Sequence, residues 1–314
     1  MFELYKKREL GDCIADTFGF FKHFGKHFFK IFFVINGGFL LLTGALIYWF
    51  ISMQDLSAGN LQSNNPNTVF NTSNGNFPLF IGLLIVLMIV VIVLSLFNAA
   101  YPVIYLKLIE QNKTKNFSIE EVIKAFKQNA WKIIKFSTGM IFIVVPVLMI
   151  AIVLMFLLCF IVVGIPLLII SLPAFFTLVN LSFYSYLTED KGFFESFNHA
   201  YALLKQNFWN TIGTTFLMML MVQMVQASVT MVMYFFVFFV FLISAVGNSN
   251  FETAPFEGSP FFIALVSLLF VFIFALSYIL NNLLMINQGI IYYSLEADEK
   301  TSTRDIELIG TDNE

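Results

Sequence analysis

Two histidines one turn apart, His23 and His27, share a helix face with Asp12 and Asp16 if the segment from Leu10 to Phe29 is one unbroken helix. All four then fall within about 60° of arc. A histidine pair at i,i+4 beside carboxylates has a spacing that suits a metal ion. Against that, Lys22, Lys26 and Lys30 lie in the same stretch and repel a cation, and Gly19 and Gly25 can interrupt the helix. The expectation is a solvated face, with no metal site and no cofactor; His23 and His27 are the weak metal candidates.

The second set of chemically capable residues is neutral. Asn36, Asn98, Asn180, Gln223, Gln226, Asn281, Asn282 and Asn287 all lie inside long apolar runs. Side-chain amides in such runs act as glue between helices, at about 0.6 kcal/mol each. Their functional reading is a polar pocket open to the cytoplasm. Gln223 with Gln226, and Asn281 with Asn282, lie ~20 Å from the ends of their respective runs, a depth that permits bonds between the two helices. No Asp, Glu, Lys, Arg or His lies deep within any run. That argues against intramembrane carboxylates for proton coupling, against metallo- and aspartyl-type intramembrane proteases, and against a charged channel ring. No nucleophile and base share a depth, so no catalytic residue is expected and the chain is not an enzyme.

The elements that carry these residues follow from composition. The chain has 314 residues, 59% hydrophobic, with 41 phenylalanines and a net charge of -3. Charged residues make up 12%, about half the usual share of a soluble domain. Such a balance excludes a soluble enzyme and a nucleic-acid binder, and two cysteines exclude a disulfide-stapled domain. The reading is an all-α polytopic membrane protein. A crossing needs roughly 20 apolar residues, and six runs qualify: Ile31 to Ser52, Pro78 to Leu108, Phe136 to Val162, Pro166 to Leu187, Asn210 to Val246 and Pro260 to Leu295. The third and fourth form one apolar stretch that must fold back, and Gly164-Ile165-Pro166 is the expected break. The last two runs are long enough to tilt or to project beyond the bilayer.

Of the 17 lysines and arginines, 16 fall before the first run, between the second and third, between the fourth and fifth, or after the sixth, and Lys107 sits at the very end of the second. The positive-inside rule then puts both termini in the cytoplasm. Asn71-Thr72-Ser73, in the Asn-rich loop from Met53 to Phe77, matches a glycosylation triplet that arises often by chance.

An amphipathic segment precedes each odd run. In the first, Leu10, Ile14, Phe18, Phe21, Phe24 and Phe28 share a face. The second opens on a capping box, Ser118 with Glu121, and carries Ile119, Val122, Ile123, Phe126 and Ala130 as its stripe, with Glu120 and Lys124 at ion-pair spacing. The third presents Phe193, Phe197, Ala200, Tyr201, Leu204 and Phe208. These segments read as cytoplasmic interfacial helices; the bland alternative is that each is simply the start of the span that follows. Lys127-Gln128-Asn129-Ala130-Trp131 matches Lys205-Gln206-Asn207-Phe208-Trp209, and Asn98, Asn180 and Asn287 are each followed by paired tyrosines. The expectation is one membrane domain over residues 1–295 in three pseudo-repeats (about 9–109, 118–188 and 193–295), then an acidic, unstructured tail over 296–314.

Three features carry a resemblance: Arg8-Glu9-Leu10-Gly11-Asp12, the two Lys-Gln-Asn-x-Trp strings, and Arg304-Asp305-Ile306-Glu307-Leu308-Ile309-Gly310. On these the chain resembles a group of uncharacterised bacterial six-span membrane proteins, related to the membrane domain that accompanies some glycerophosphodiester phosphodiesterases. The shared motifs are structural, and no loop is long enough for the phosphodiesterase barrel. The expected function is therefore non-enzymatic: a scaffold, or a component that organises lipid or a partner in the cytoplasmic membrane. A transporter or exporter of an amphiphilic, lipid-like solute is the alternative. Expected partners are anionic lipid headgroups, with a protein partner or a homo-oligomer beside them, and no nucleic acid.

Overall fold

The computed structural model describes residues 3–53, 77–112, 117–160, 164–247 and 260–311, and every regular element among them is a helix. In chain order these are α1 (Leu10–Met53), α2 (Phe77–Asn112), α3 (Ile119–Gly139), α4 (Val145–Cys159), α5 (Gly164–Thr188), α6 (Phe193–Gln206), α7 (Phe208–Gly247) and α8 (Pro260–Thr311). Six helical stretches are long and apolar enough to cross a membrane: Leu10–Phe50, Ile81–Asn112, Ile119–Cys159, Gly164–Thr188, Phe208–Val240 and Ala264–Glu299. By length and composition this is a multi-pass membrane protein. The Asn71-Thr72-Ser73 triplet and residues 248–259 lie outside the described residues.

The break at Gly164 falls where the sequence places it, and its cause is steric. A Cβ on Gly164 would stand 2.3 Å from the Cys159 backbone nitrogen and 2.5 Å from the Leu158 carbonyl carbon, so only glycine lets the chain pass this close. A π-helical turn, Met140–Val144, joins α3 to α4. Pro146 follows it and has no N–H for the turn before, a common cause of local rewinding. No residue of α4 is buried, and Phe142 and Phe160 are 76% and 88% exposed. An apolar helix this exposed needs lipid around it.

The first two amphipathic segments are not separate helices. α1 runs through Gly19 and Gly25 without interruption, and α3 continues into α4. Only the third, α6, stands alone; it ends at Asn207, whose φ of -140° and ψ of 54° are not helical. The buried stripes are also rotated from the expected ones. On α3 they are Val122, Phe126, Ile133 and Phe136, while Ile123 is exposed. On α6 they are Ser196, Ala200, Leu203 and Leu204, with Tyr201 exposed. A hydrophobic arc read from sequence includes side chains that face lipid as well as those that face protein. Ser118 does cap α3, its Oγ accepting from the Glu121 N–H at 3.3 Å.

α8 corrects a second expectation. It continues through the stretch read as an unstructured tail, to Thr311. Leu295 and Glu296 are buried, and Asp298 pairs with Lys7 at 3.3 Å, so packing extends past the apolar run.

The described chain divides into two compact units. The first holds residues up to Phe32, Asn98–Val222 and Asn281 onward. Its interior is aromatic: Phe28 meets Tyr101 and Tyr105 at ring distances of 4.6 and 4.8 Å, and Phe136 lies among Phe183, Tyr186 and Phe193. Arg8, from the resemblance motif, is buried here. Its guanidinium donates to Asp16 and to the carbonyl oxygens of Leu4 and Lys6, and its own N–H donates to Ser294 Oγ. The second unit, Phe33–Phe97 with Gln223–Leu280, centres on Leu46, Leu83 and Val90. There Gly44 lets Val271 approach until a Cβ would meet it at 2.8 Å.

Candidate functional site

The eight amides do different jobs. In the first unit, Asn282 on α8 donates to Asn98 Oδ1 on α2 at 2.9 Å, both buried. Asn287 donates to Thr17 Oγ1 on α1 at 3.0 Å, whereas Asn180 turns back to the Phe176 carbonyl of its own helix. Asn281 is half-buried. In the second unit, Gln226 donates to Ser277 on α8, Asn36 is fully buried, and Gln223 is exposed. The expected exchange between Gln223 or Gln226 and Asn281 or Asn282 is replaced by these partners. Side-chain depth set the expectation; which helix lies alongside set the outcome.

Sequence reasoning missed the strongest member of the polar set. Gln288 is fully buried and donates to Thr215 Oγ1 at 3.0 Å, and Thr215 in turn meets Thr177 at 2.8 Å, so α5, α7 and α8 are tied by one chain of polar groups. Asn287 Oδ1 and Gln288 Oε1 accept no hydrogen bond. A buried acceptor left in that state costs about 1–3 kcal/mol.

The two histidines of the weak metal candidate have different partners. His23 is exposed and bonds the Gly19 carbonyl one turn back. His27 lies between α2 and the chain before α3, with Nδ1 2.9 Å from Tyr105 Oη and Nε2 3.2 Å from the Phe117 carbonyl. Two histidines on one face can still have separate partners.

Two other places concentrate chemistry. The first is a cleft of about 440 Å³ between α2 and α3, lined by Lys107, Gln111, Asn112, Glu121, Lys124, Gln128, Asn129, Lys132 and Asp190 among others. Lys107 donates to the Leu187 carbonyl at the end of α5. Lys132 pairs with Asp190 and holds that carboxyl below its usual range. Asp190 has φ of 58°, a left-handed conformation that aspartate tolerates better than most residues and that ends the turn after α5. The expected Glu120–Lys124 pair does not form, and the Lys124 ammonium has no acid partner among the described residues. The cleft thus offers three ammonium groups and four amides against two carboxylates.

The second place is a cluster around His199 on α6. Its Nε2 stands 3.2 Å from Glu296 and 3.6 Å from Glu299, both on α8, and its Nδ1 is 3.1 Å from Ser185 Oγ and 3.9 Å from Glu189. Tyr292 donates to Glu189 at 2.6 Å, and Lys191 pairs with the other oxygen of Glu189 at 2.6 Å. The hydrogen bond to Glu296 raises the His199 pKa above its ordinary value; burial opposes that and the Glu189 charge adds to it. The sequence signal was available: Tyr292, Glu296 and Glu299 are spaced 4 and 3 apart, on one face of a helix. It was lost because these acids were counted into a tail.

Comparison with family models, with curated proteins and with solved structures finds no match at any of the three levels.

Proposed function

We propose that this chain is a non-enzymatic integral membrane protein that organises anionic lipid at the cytoplasmic face of a bacterial inner membrane, with both termini in the cytoplasm. The observation that carries the reading is the cleft of Lys107, Lys124 and Lys132 among side-chain amides. Ammonium groups near a surface favour anionic headgroups by about 1 kcal/mol each, and amides can donate to ester and phosphate oxygens. On α3, α6 and α7, Trp131 and Trp209 are 66% and 71% exposed, and Phe194 and Tyr201 are exposed as well. Aromatics of this kind collect at a bilayer's water boundary. The Lys135 ammonium lies 5.5 Å from the Trp131 ring centroid. A cationic and aromatic α3 surface beside the cleft therefore suits the headgroup layer, and the one-sided distribution of basic residues supports the same orientation.

The threefold repeat belongs to the same reading: each unit would bring one basic or aromatic segment to the membrane surface before a pair of spans. A carrier of an amphiphilic solute is the second reading, and the buried acceptors Asn287 Oδ1 and Gln288 Oε1 are what favour it.

The test is native mass spectrometry of the protein from nanodiscs of mixed phosphatidylglycerol and phosphatidylethanolamine. The wild type should retain the anionic lipid in preference. Lys124→Gln with Lys132→Gln removes two charges, about 2 kcal/mol, and should lower that preference about 30-fold. Equal retention of both lipids, or a preference unmoved by the double substitution, refutes the proposal.

A further inference from the structure

We propose that Glu189, His199 and Glu296, with Glu299 beside them, form a binding site for Zn²⁺. One ligand atom from each of the first three lies within 4.8 Å of the others. A tetrahedral ion with bonds of about 2.0–2.2 Å holds its ligands roughly 3.5 Å apart, so modest side-chain rotation closes the set. One imidazole with carboxylates is a donor set that zinc takes readily.

The surroundings go beyond a group of acids. His199 Nδ1 meets Ser185 Oγ at 3.1 Å. With the ring proton given to that hydroxyl, the Nε2 lone pair points at Glu296 and Glu299, at 3.2 and 3.6 Å. A lone pair facing two carboxylates is stabilised by a positive charge between them, which a proton or a metal ion can supply. Metal-binding histidines are oriented in this manner, by a partner on the far ring nitrogen. Glu189 is itself fixed, its Oε1 accepting from Tyr292, which also meets Thr188 at 3.2 Å. The donors come from the residue that follows α5, from α6 and from α8, so three separate segments hold them. With neutral imidazole, three carboxylates against Lys191 leave two negative charges, which one divalent cation cancels. The competing account is a salt-bridge network closed by a proton on His199 and by Lys191 on Glu189. The two accounts differ in what Lys191 does: in a network it is a needed partner, whereas at a zinc site it is a rival for Glu189.

The experiment is isothermal titration of the purified, chelator-stripped full chain with Zn²⁺ alone. The expected result is one Zn²⁺ per chain, weakened at least tenfold by His199→Gln and by Glu296→Gln, and tightened by Lys191→Met. The double variant His23→Ala with His27→Ala should bind as the wild type does. Monodispersity and a cooperative melting transition with chelator present qualify each variant. Lys191→Met and Glu299→Gln (expected to weaken binding) decide the matter where a buried substitution fails to fold. No binding, binding indifferent to these substitutions, or weaker binding in Lys191→Met overturns the proposal. This site is independent of the lipid reading.

Discussion

Gly289 is where α8 comes closest to its neighbours in the first unit, and alanine there is a sharp probe of that packing. A Cβ would stand 2.3 Å from Leu106 Cδ1, 2.5 Å from Tyr184 Oη and 2.8 Å from Tyr184 Cζ. Ordinary contact needs about 1 Å more, so both side chains must retreat. Leu106 can rotate, but Tyr184 is fully buried and its hydroxyl donates to the Met285 carbonyl at 2.7 Å. Overpacking a buried site costs about 1–3 kcal/mol, and breaking that hydrogen bond leaves a buried group unsatisfied for about 1–3 more. Replacing a helical glycine gains back about 1 kcal/mol. The expected net for Gly289→Ala is a loss of about 1–5 kcal/mol. Gly38→Ala is the matched control: a Cβ there meets nothing within 4 Å, so it should stabilise by up to ~1 kcal/mol. Equilibrium unfolding in mixed detergent and SDS micelles measures both. Tyr184→Phe in the Gly289→Ala background should recover part of the loss by removing the nearest oxygen. If Gly289→Ala is as stable as the wild type, or if Gly38→Ala costs as much, the close approach of α2, α5 and α8 is wrong.

Two further outcomes follow from the polar contacts. A double-mutant cycle on Asn98→Ala and Asn282→Ala should give a coupling of about 0.5–1.5 kcal/mol in the same unfolding assay, and additivity would mean that the α2–α8 bond contributes nothing. The second concerns pH. Because the folded His199 pKa lies above its unfolded value near 6.5, its contribution is complete below about pH 6.5 and is lost as pH rises through the raised value. The facing groups are Glu189, Lys191, Ser185, Glu296 and Glu299. With chelator present, the melting-temperature advantage of wild type over His199→Gln should therefore shrink as pH rises from about 6.5 to 9; an advantage that grows reverses the sign and refutes the pairing.

The spans were legible because their signal is additive. Each residue of Pro166 to Leu187 reports its own hydropathy, and Gly164 reports its own missing Cβ. The Ser118 cap was legible for a similar reason, since donor and acceptor lie three residues apart. What could not be read was which neighbour each polar group meets. Asn282 and Gln288 lie on the same helix six residues apart, yet one bonds α2 and the other α7. That choice is made by helix packing, which leaves no mark at either position. The rotation of the α3 stripe has the same origin: Ile123 and Val122 are equally apolar, and only the tertiary arrangement buries one and exposes the other. His199 needed three elements at once, and its acidic partners on α8 follow an apolar run that seemed to end the fold.

The two units divide the chemical work unequally. All the ion pairs among the described residues lie in the first, from Arg8 with Asp16 to the His199 cluster, and so do the lysine-lined cleft and the Thr177–Thr215–Gln288 chain. The second unit is built on Leu46, Leu83 and Val90, on the close seat of Val271 against Gly44, and on one amide–hydroxyl bond from Gln226 to Ser277. Ion pairs need water or a polar neighbour nearby to offset desolvation, and in the first unit Ser185, Ser294 and Tyr292 are such neighbours. α1, α2, α7 and α8 each run from one unit into the other. A ligand at the cleft or at the His199 cluster therefore touches elements that continue as the helices of the apolar unit. Glu296, in the charged cluster, and Val271, in the apolar seat against Gly44, thus lie on one continuous helix, α8.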